Sequence, residues 1–246
     1  MNIKKMIACT ISSLFFATSA QAQPDIPAFM QSYQDLLGVM LSSYKETVSS
    51  PLDSRIFDIS KPLFYNFLKG ANRQEYKKPF LAMRFFSDFK VNNKPTNFCF
   101  ILFDGNKVQD LNTYLYTVFP TPDDTVEYLV AHEFGHCIAA HQRILGNIPE
   151  EPYAPKEEQI ADMFAMGFFM SRGQDDLAKI VIKQTAELPK TDIHYNPEAL
   201  RKFYYLFNKD KPDVHNVETL FKASYKYFQE INAHPEKWND EIKDMK

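Results

Sequence analysis

Residues 121–146 read TPDDTVEYLVAHEFGHCIAAHQRILG, and the helix written into this stretch organises the rest of the chain. Thr121 suits an N-cap, Pro122 the first helical position, and Asp124, three residues after the cap, the acid of a shortened capping box. Asp123 and Asp124 also suit the positive end of the helix dipole. Apolar residues recur at Val126, Leu129, Val130, Phe134, Cys137 and Ile138, and the pattern stops at Leu145 before Gly146, a left-handed terminator. The spacing predicts a buried helix. Inside it, His132, Glu133 and His136 form H-E-x-x-H. Residues four apart lie about 400° round the axis, so the two imidazoles leave one face a turn apart and can share one ion, with Glu133 beside them. Buried polar groups need partners, and a shared metal supplies them. The bland alternative is two histidines that happen to be four apart, and an uninterrupted helix and a further ligand downstream both count against it.

That further ligand is Glu158. A second helix is expected from near Pro155, after the Pro-rich loop 147–154, towards Gly173. Glu158 and Asp162 stand four apart on one face of it. By itself such a pair is usually a solvated face, but Ile160, Met163, Phe164 and Phe168 beside it predict that part of the helix packs inside. A tetrahedral catalytic zinc takes three protein ligands, and His, His and Glu is one such set. Asp162 would then accept the free N–H of a ligand histidine and fix its tautomer. Glu157 is the competing third ligand, but it has no acid four residues on.

The two motifs together resemble the gluzincin zinc metallopeptidases, whose active-site helix carries H-E-x-x-H and whose next active-site helix supplies E-x-x-x-D. Within that group the chain is similar to exported, little-characterised bacterial metallopeptidases, over roughly residues 95 to 205. The resemblance implies a helix-rich, zincin-like α+β fold with a small sheet beside the active-site helix. It implies Zn2+ held by His132, His136 and Glu158, with Glu133 as general base, Asp162 orienting a ligand histidine, and a protein or peptide as substrate. One strand beside the active-site helix would bind substrate backbone by strand addition. The metzincin pattern H-E-x-x-H-x-x-G-x-x-H does not fit, because Ala139 stands at its glycine and Gln142 at its third histidine. His141 is one residue short of that place and belongs to another face. Downstream, Asp192-Ile193-His194 followed by Arg201 is similar to a D-x-H with a later Arg in gluzincin-like families, where the histidine helps to stabilise an oxyanion. Arg201 comes one residue later than in that pattern. An exposed loop histidine before a helix at Pro197 is the alternative, and Tyr195 is a second candidate donor.

Composition bounds the class. The 246 residues are 45% hydrophobic and 24% charged, enough for one sizeable core and without the signature of disorder. Gly is scarce at 7 and Phe abundant at 22, as in a helix-rich, aromatic-packed domain. Lys4 and Lys5, the apolar run Met6 to Thr18 and Ala20-Gln21-Ala22 read as a secretory signal cleaved after Ala22. The expected organisation is therefore a signal over 1–22 and a single domain over 23–246, periplasmic or secreted. The apolar run is shorter than the roughly 20 residues of a membrane span, and no later run is long enough. The net charge of −3 becomes about −5 when Lys4 and Lys5 leave, which argues against nucleic acid as a partner. Cys99 and Cys137 remain in an oxidising compartment, where a disulfide and two buried thiols are both open.

Elsewhere a helix is expected from Ile26 to Val48, with Phe29, Tyr33, Leu36, Leu37, Met40 and Tyr44 on one stripe, and another from Ser60 to Gly70. Pro79 to Val91 alternates imperfectly. Phe98 to Phe103 is a continuous apolar strand before the turn Asp104-Gly105, with Tyr114 to Phe119 pairing back. Asp175 to Leu188, Pro197 to Asn208 and Val214 to Ala233 read as helices, and the charged tail from Pro235 as loosely held. Two other functional classes stay open: a catalytically silent zinc-binding interaction protein, against which the intact Glu133 counts, and a non-metal secreted helical binding protein in which the motif is accidental.

Overall fold

A computed structural model of the chain describes residues 28–48, 50–58, 81–91, 94–103, 119–150 and 154–243. The signal sequence, the helix expected over 60–70, the Asp104-Gly105 turn and most of the strand expected over 114–119 lie outside the described residues. Among them, in chain order, are α1 (Ala28–Lys45), β1 (Leu52–Asp58), β2 (Leu81–Val91), β3 (Lys94–Phe103), α2 (Pro122–Ile144), α3 (Ala154–Ser171), α4 (Asp175–Glu187), α5 (Pro197–Asp210) and α6 (Val217–Ala233). The architecture is helix-rich α+β. None of these helices is long and apolar enough to cross a membrane.

The sheet has the order β1-β3-β2, with β1 parallel and β2 antiparallel to β3. β3 is central, which explains its unbroken apolar run: Phe98, Cys99, Phe100, Ile101 and Leu102 are all buried. Among the described residues its partners are β1 and β2, and Phe119 forms a bend and stacks on Tyr128 at 5.3 Å. β1 was not expected. Its alternation of Leu52, Ser54 and Ile56 places a buried hydroxyl in the middle of the inward face, and this breaks the hydrophobic period. Among the described residues β1 forms one edge of the sheet, and two of its amides are taken up locally: Ser54 N donates to Asp53 Oδ1 (3.0 Å) and Ile56 N to Gln34 Oε1 of α1 (3.1 Å).

Helix α2 is capped as its sequence requires. Asp124 N donates to Thr121 Oγ1 at 3.1 Å, Thr121 N donates back to Asp124 Oδ2 at 3.1 Å, and Gly146 takes φ +72° just past the last turn. A disulfide joins Cys99 of β3 to Cys137 of α2, with Cα atoms 5.7 Å apart, so the open alternative of two free thiols is not what the fold adopts. At the C-terminal end of α2, His141 is a core residue. Gln142 Nε2 donates to Tyr44 Oη (2.7 Å), which lies 2.9 Å from His141 Nδ1, while His141 Nε2 lies 3.3 Å from Ser50 Oγ. Burial pushes this imidazole down to about 4, so the ring is neutral and clamps α1 to α2.

Helices α2 and α3 approach closely at Gly135, inside the H-E-x-x-H motif. A Cβ there would stand 3.2 Å from Ala161 Cα and 3.1 Å from Phe164 Cδ1. Gly135→Ala gains up to about 1 kcal/mol of helix propensity. Overpacking against a backbone atom costs about 1–3 kcal/mol, so a net loss of about 1 kcal/mol is expected in the urea unfolding midpoint. A variant as stable as the wild type would show that the helices separate freely at this crossing.

The tail is a further correction. Trp238 and Ile242 are buried, and the ammonium of fully buried Lys202 donates to the Pro235 carbonyl and to Glu198 Oε1 (2.6 Å). Two apolar residues four apart and one buried cation therefore hold residues 235–242 on the domain.

Candidate metal centre

The spacing of four on α2 and again on α3, with the close crossing at Gly135, brings the polar faces of the two helices together. His132 Nε2 and His136 Nε2 are 3.2 Å apart, and each lies 3.1 Å from the same oxygen, Glu158 Oε2. His194, from the turn before α5, brings Nδ1 to 3.4 Å from that oxygen. His132, Glu158 and His194 offer ligand atoms within 4.8 Å of one another and could hold a metal ion. His136 stands against two members of that group, His132 and Glu158, at the distances just given. His132 and His136 come from α2, Glu158 from α3 and His194 from the loop after α4. Glu157, the competing ligand, is turned away in an ion pair with Arg143.

Asp162 lies beneath this group and is fully buried. It accepts from Tyr128 Oη (2.8 Å) and Asn196 Nδ2 (3.1 Å), and His132 Nδ1 is 2.9 Å away. Burial alone would raise this carboxyl, but the bonds from His132 and Tyr128 outweigh it and hold it below its ordinary range. An ionised Asp162 only accepts, so Nδ1 of His132 must carry the proton. In neutral His132, Nε2 is then a lone pair, aimed 3.1 Å away at an oxygen of Glu158. Two lone pairs at that distance repel unless a cation stands between them. A proton meets the requirement locally: Asp162 and Glu158 overcome burial to hold His132 well above its ordinary value, while the imidazoles hold Glu158 well below its own. A divalent metal meets it for all the donors at once. In a tetrahedral site with bonds of about 2.0–2.1 Å, neighbouring ligand atoms lie about 3.3 Å apart, and the four separations between 3.1 and 3.4 Å match that edge. The donor set fits the ion.

Glu133 is buried on α2 beside these ligands, within the electrostatic reach of His132, His136, Glu158 and His194. Burial pushes its carboxyl up, against the pull of the histidines. A carboxylate so placed accepts a proton more readily than one in water.

Tyr128 and Asn196 were not singled out from the sequence. Tyr128 stands four before His132 and thus on its face, a spacing that could have marked it. Asn196 gives no such sign. Comparison of the chain with protein-family models, with curated proteins and with solved structures found no match.

Proposed function

We propose that this protein is an exported zinc-dependent peptidase of gluzincin type, with a zincin-like fold. The observation that supports it is the convergence of His132, His136 and Glu158 on one point, with Asp162 fixing the tautomer of His132. Bound there, zinc supplies Lewis acidity and lowers the pKa of a water molecule. Buried Glu133 takes the proton from the attacking water and passes it to the leaving amine of the peptide. Tyr128 and Asn196 act through Asp162, holding the carboxylate that orients His132. A second reading, a zinc-binding protein without turnover, uses the same ligands but leaves Glu133 without a task.

Metal content tests the centre first. One zinc per chain is expected by elemental analysis of protein purified without added metal, and well under a tenth of that in His136→Ala. Zinc at equal stoichiometry in both would remove His136 from the ligands, and well-folded wild type that takes up no supplied zinc would make the motif accidental. Cleavage of a mixture of internally quenched peptides, abolished by a chelator and restored by zinc, then separates the peptidase from the silent binder.

A further inference from the structure

We propose that His194 is a fourth protein ligand of the metal, so that the resting centre is closed and opens by the departure of this one side chain. This deepens, and rests on, the metal-centre reading above. Structural zinc sites take four protein ligands, whereas catalytic ones take three and keep a position open. Here three imidazole nitrogens surround one oxygen: Glu158 Oε2 has His132 and His136 at 3.1 Å and His194 Nδ1 at 3.4 Å, each separation near a tetrahedral edge.

The placement of His194 is built. His194 N donates to Asp192 Oδ1 (2.9 Å), and Tyr195 N donates to Asp192 O (3.1 Å). Asn196, two residues after His194, is tied to Asp162 at 3.1 Å. The carboxylate that sets the tautomer of His132 therefore also anchors the loop that presents His194. The four ligands are unequal, however. Side-chain exposure is 6% for His132, 12% for His136 and 17% for Glu158, but 39% for His194. The first three leave helices packed in the core, while His194 leaves a surface loop, and a rotation about its own side-chain bonds takes it into solvent. His194 is the ligand that can leave. Its departure would break one nitrogen-to-metal bond and open one coordination position, with no change of oxidation state.

The experiment is zinc-edge X-ray absorption on the full chain loaded with one zinc, beside His194→Ala, with zinc affinity measured by competition against a chromophoric chelator. Three imidazoles are expected in the wild type and two in the variant, with zinc bound at least about tenfold more weakly by the variant. His194 is half-exposed on a loop, and His194→Asn repeats the measurement with a polar side chain in its place. Two imidazoles in the wild type and unchanged affinity in both variants would overturn the fourth ligand and leave the three-ligand centre standing. A wild type that retains no zinc would overturn both.

Discussion

Replacing Glu133 by Gln is expected to lower kcat/KM for peptide cleavage by about a thousandfold while leaving one zinc per chain. The substitution keeps the size of the side chain and its buried position on α2 but removes the group that accepts a proton, and general-base catalysis is worth about 10²–10⁴-fold. The metal should stay, because its proposed ligands are His132, His136 and Glu158, which meet within 3.2 Å of one another without Glu133. Steady-state rates on internally quenched peptides, with zinc measured on the same samples, give the result. A variant that cleaves at the wild-type rate would show that another group takes the proton, and one that loses zinc would place Glu133 among the ligands.

Removing the disulfide should have the largest effect on stability. Cys99 and Cys137 close a loop of 38 residues, for which loss of the crosslink costs about 4 kcal/mol in the chain-entropy account. Domains of this kind are stable by about 5–15 kcal/mol in all, so a large share would go. The double variant Cys99→Ala/Cys137→Ala is expected to unfold about 10 °C lower in calorimetry, given the few degrees that each kcal/mol moves a domain of this size. The position of the bond makes a second effect follow. Cys137 adjoins His136, so the crosslink fixes the ligand-bearing turn of α2 against the central strand, and zinc affinity should fall along with stability. A double variant within 1 kcal/mol of the wild type would mean that β3 and α2 hold each other by packing alone.

The parts legible in sequence were those written in contiguous residues. Cap, period, stop and ligands of α2 all lie within residues 121–146, and Glu158 and Asp162 repeat the spacing of four within one helix. What could not be read depended on contacts between distant segments. β1 pairs parallel with β3 across more than forty residues, and its inward Ser54 lies 4.0 Å from Cys137 Sγ, so no apolar alternation announces it. Asn196 reaches Asp162 across 34 positions, through a turn whose path no local pattern specifies. The pairing of Cys99 with Cys137 required knowing that β3 lies against α2. The docking of the tail from Pro235 is hidden in sequence because its charged surface residues outnumber Trp238 and Ile242, and because the ammonium that holds it belongs to α5.

The outer flank of β1 has a bearing on how copies of this chain behave when crowded. Backbone amides directed away from a sheet are a template on which a second chain can add a strand, and long exposed edges of that kind seed aggregates. Ser54 and Ile56, two residues apart and so facing the same way, already give their amides to Asp53 and Gln34. Gln34 comes from α1, whose docking therefore acts as a guard rail along this flank. A chain in which α1 has detached would present those amides unguarded, making the undocked helix, rather than the sheet itself, the point at which refolding competes with precipitation.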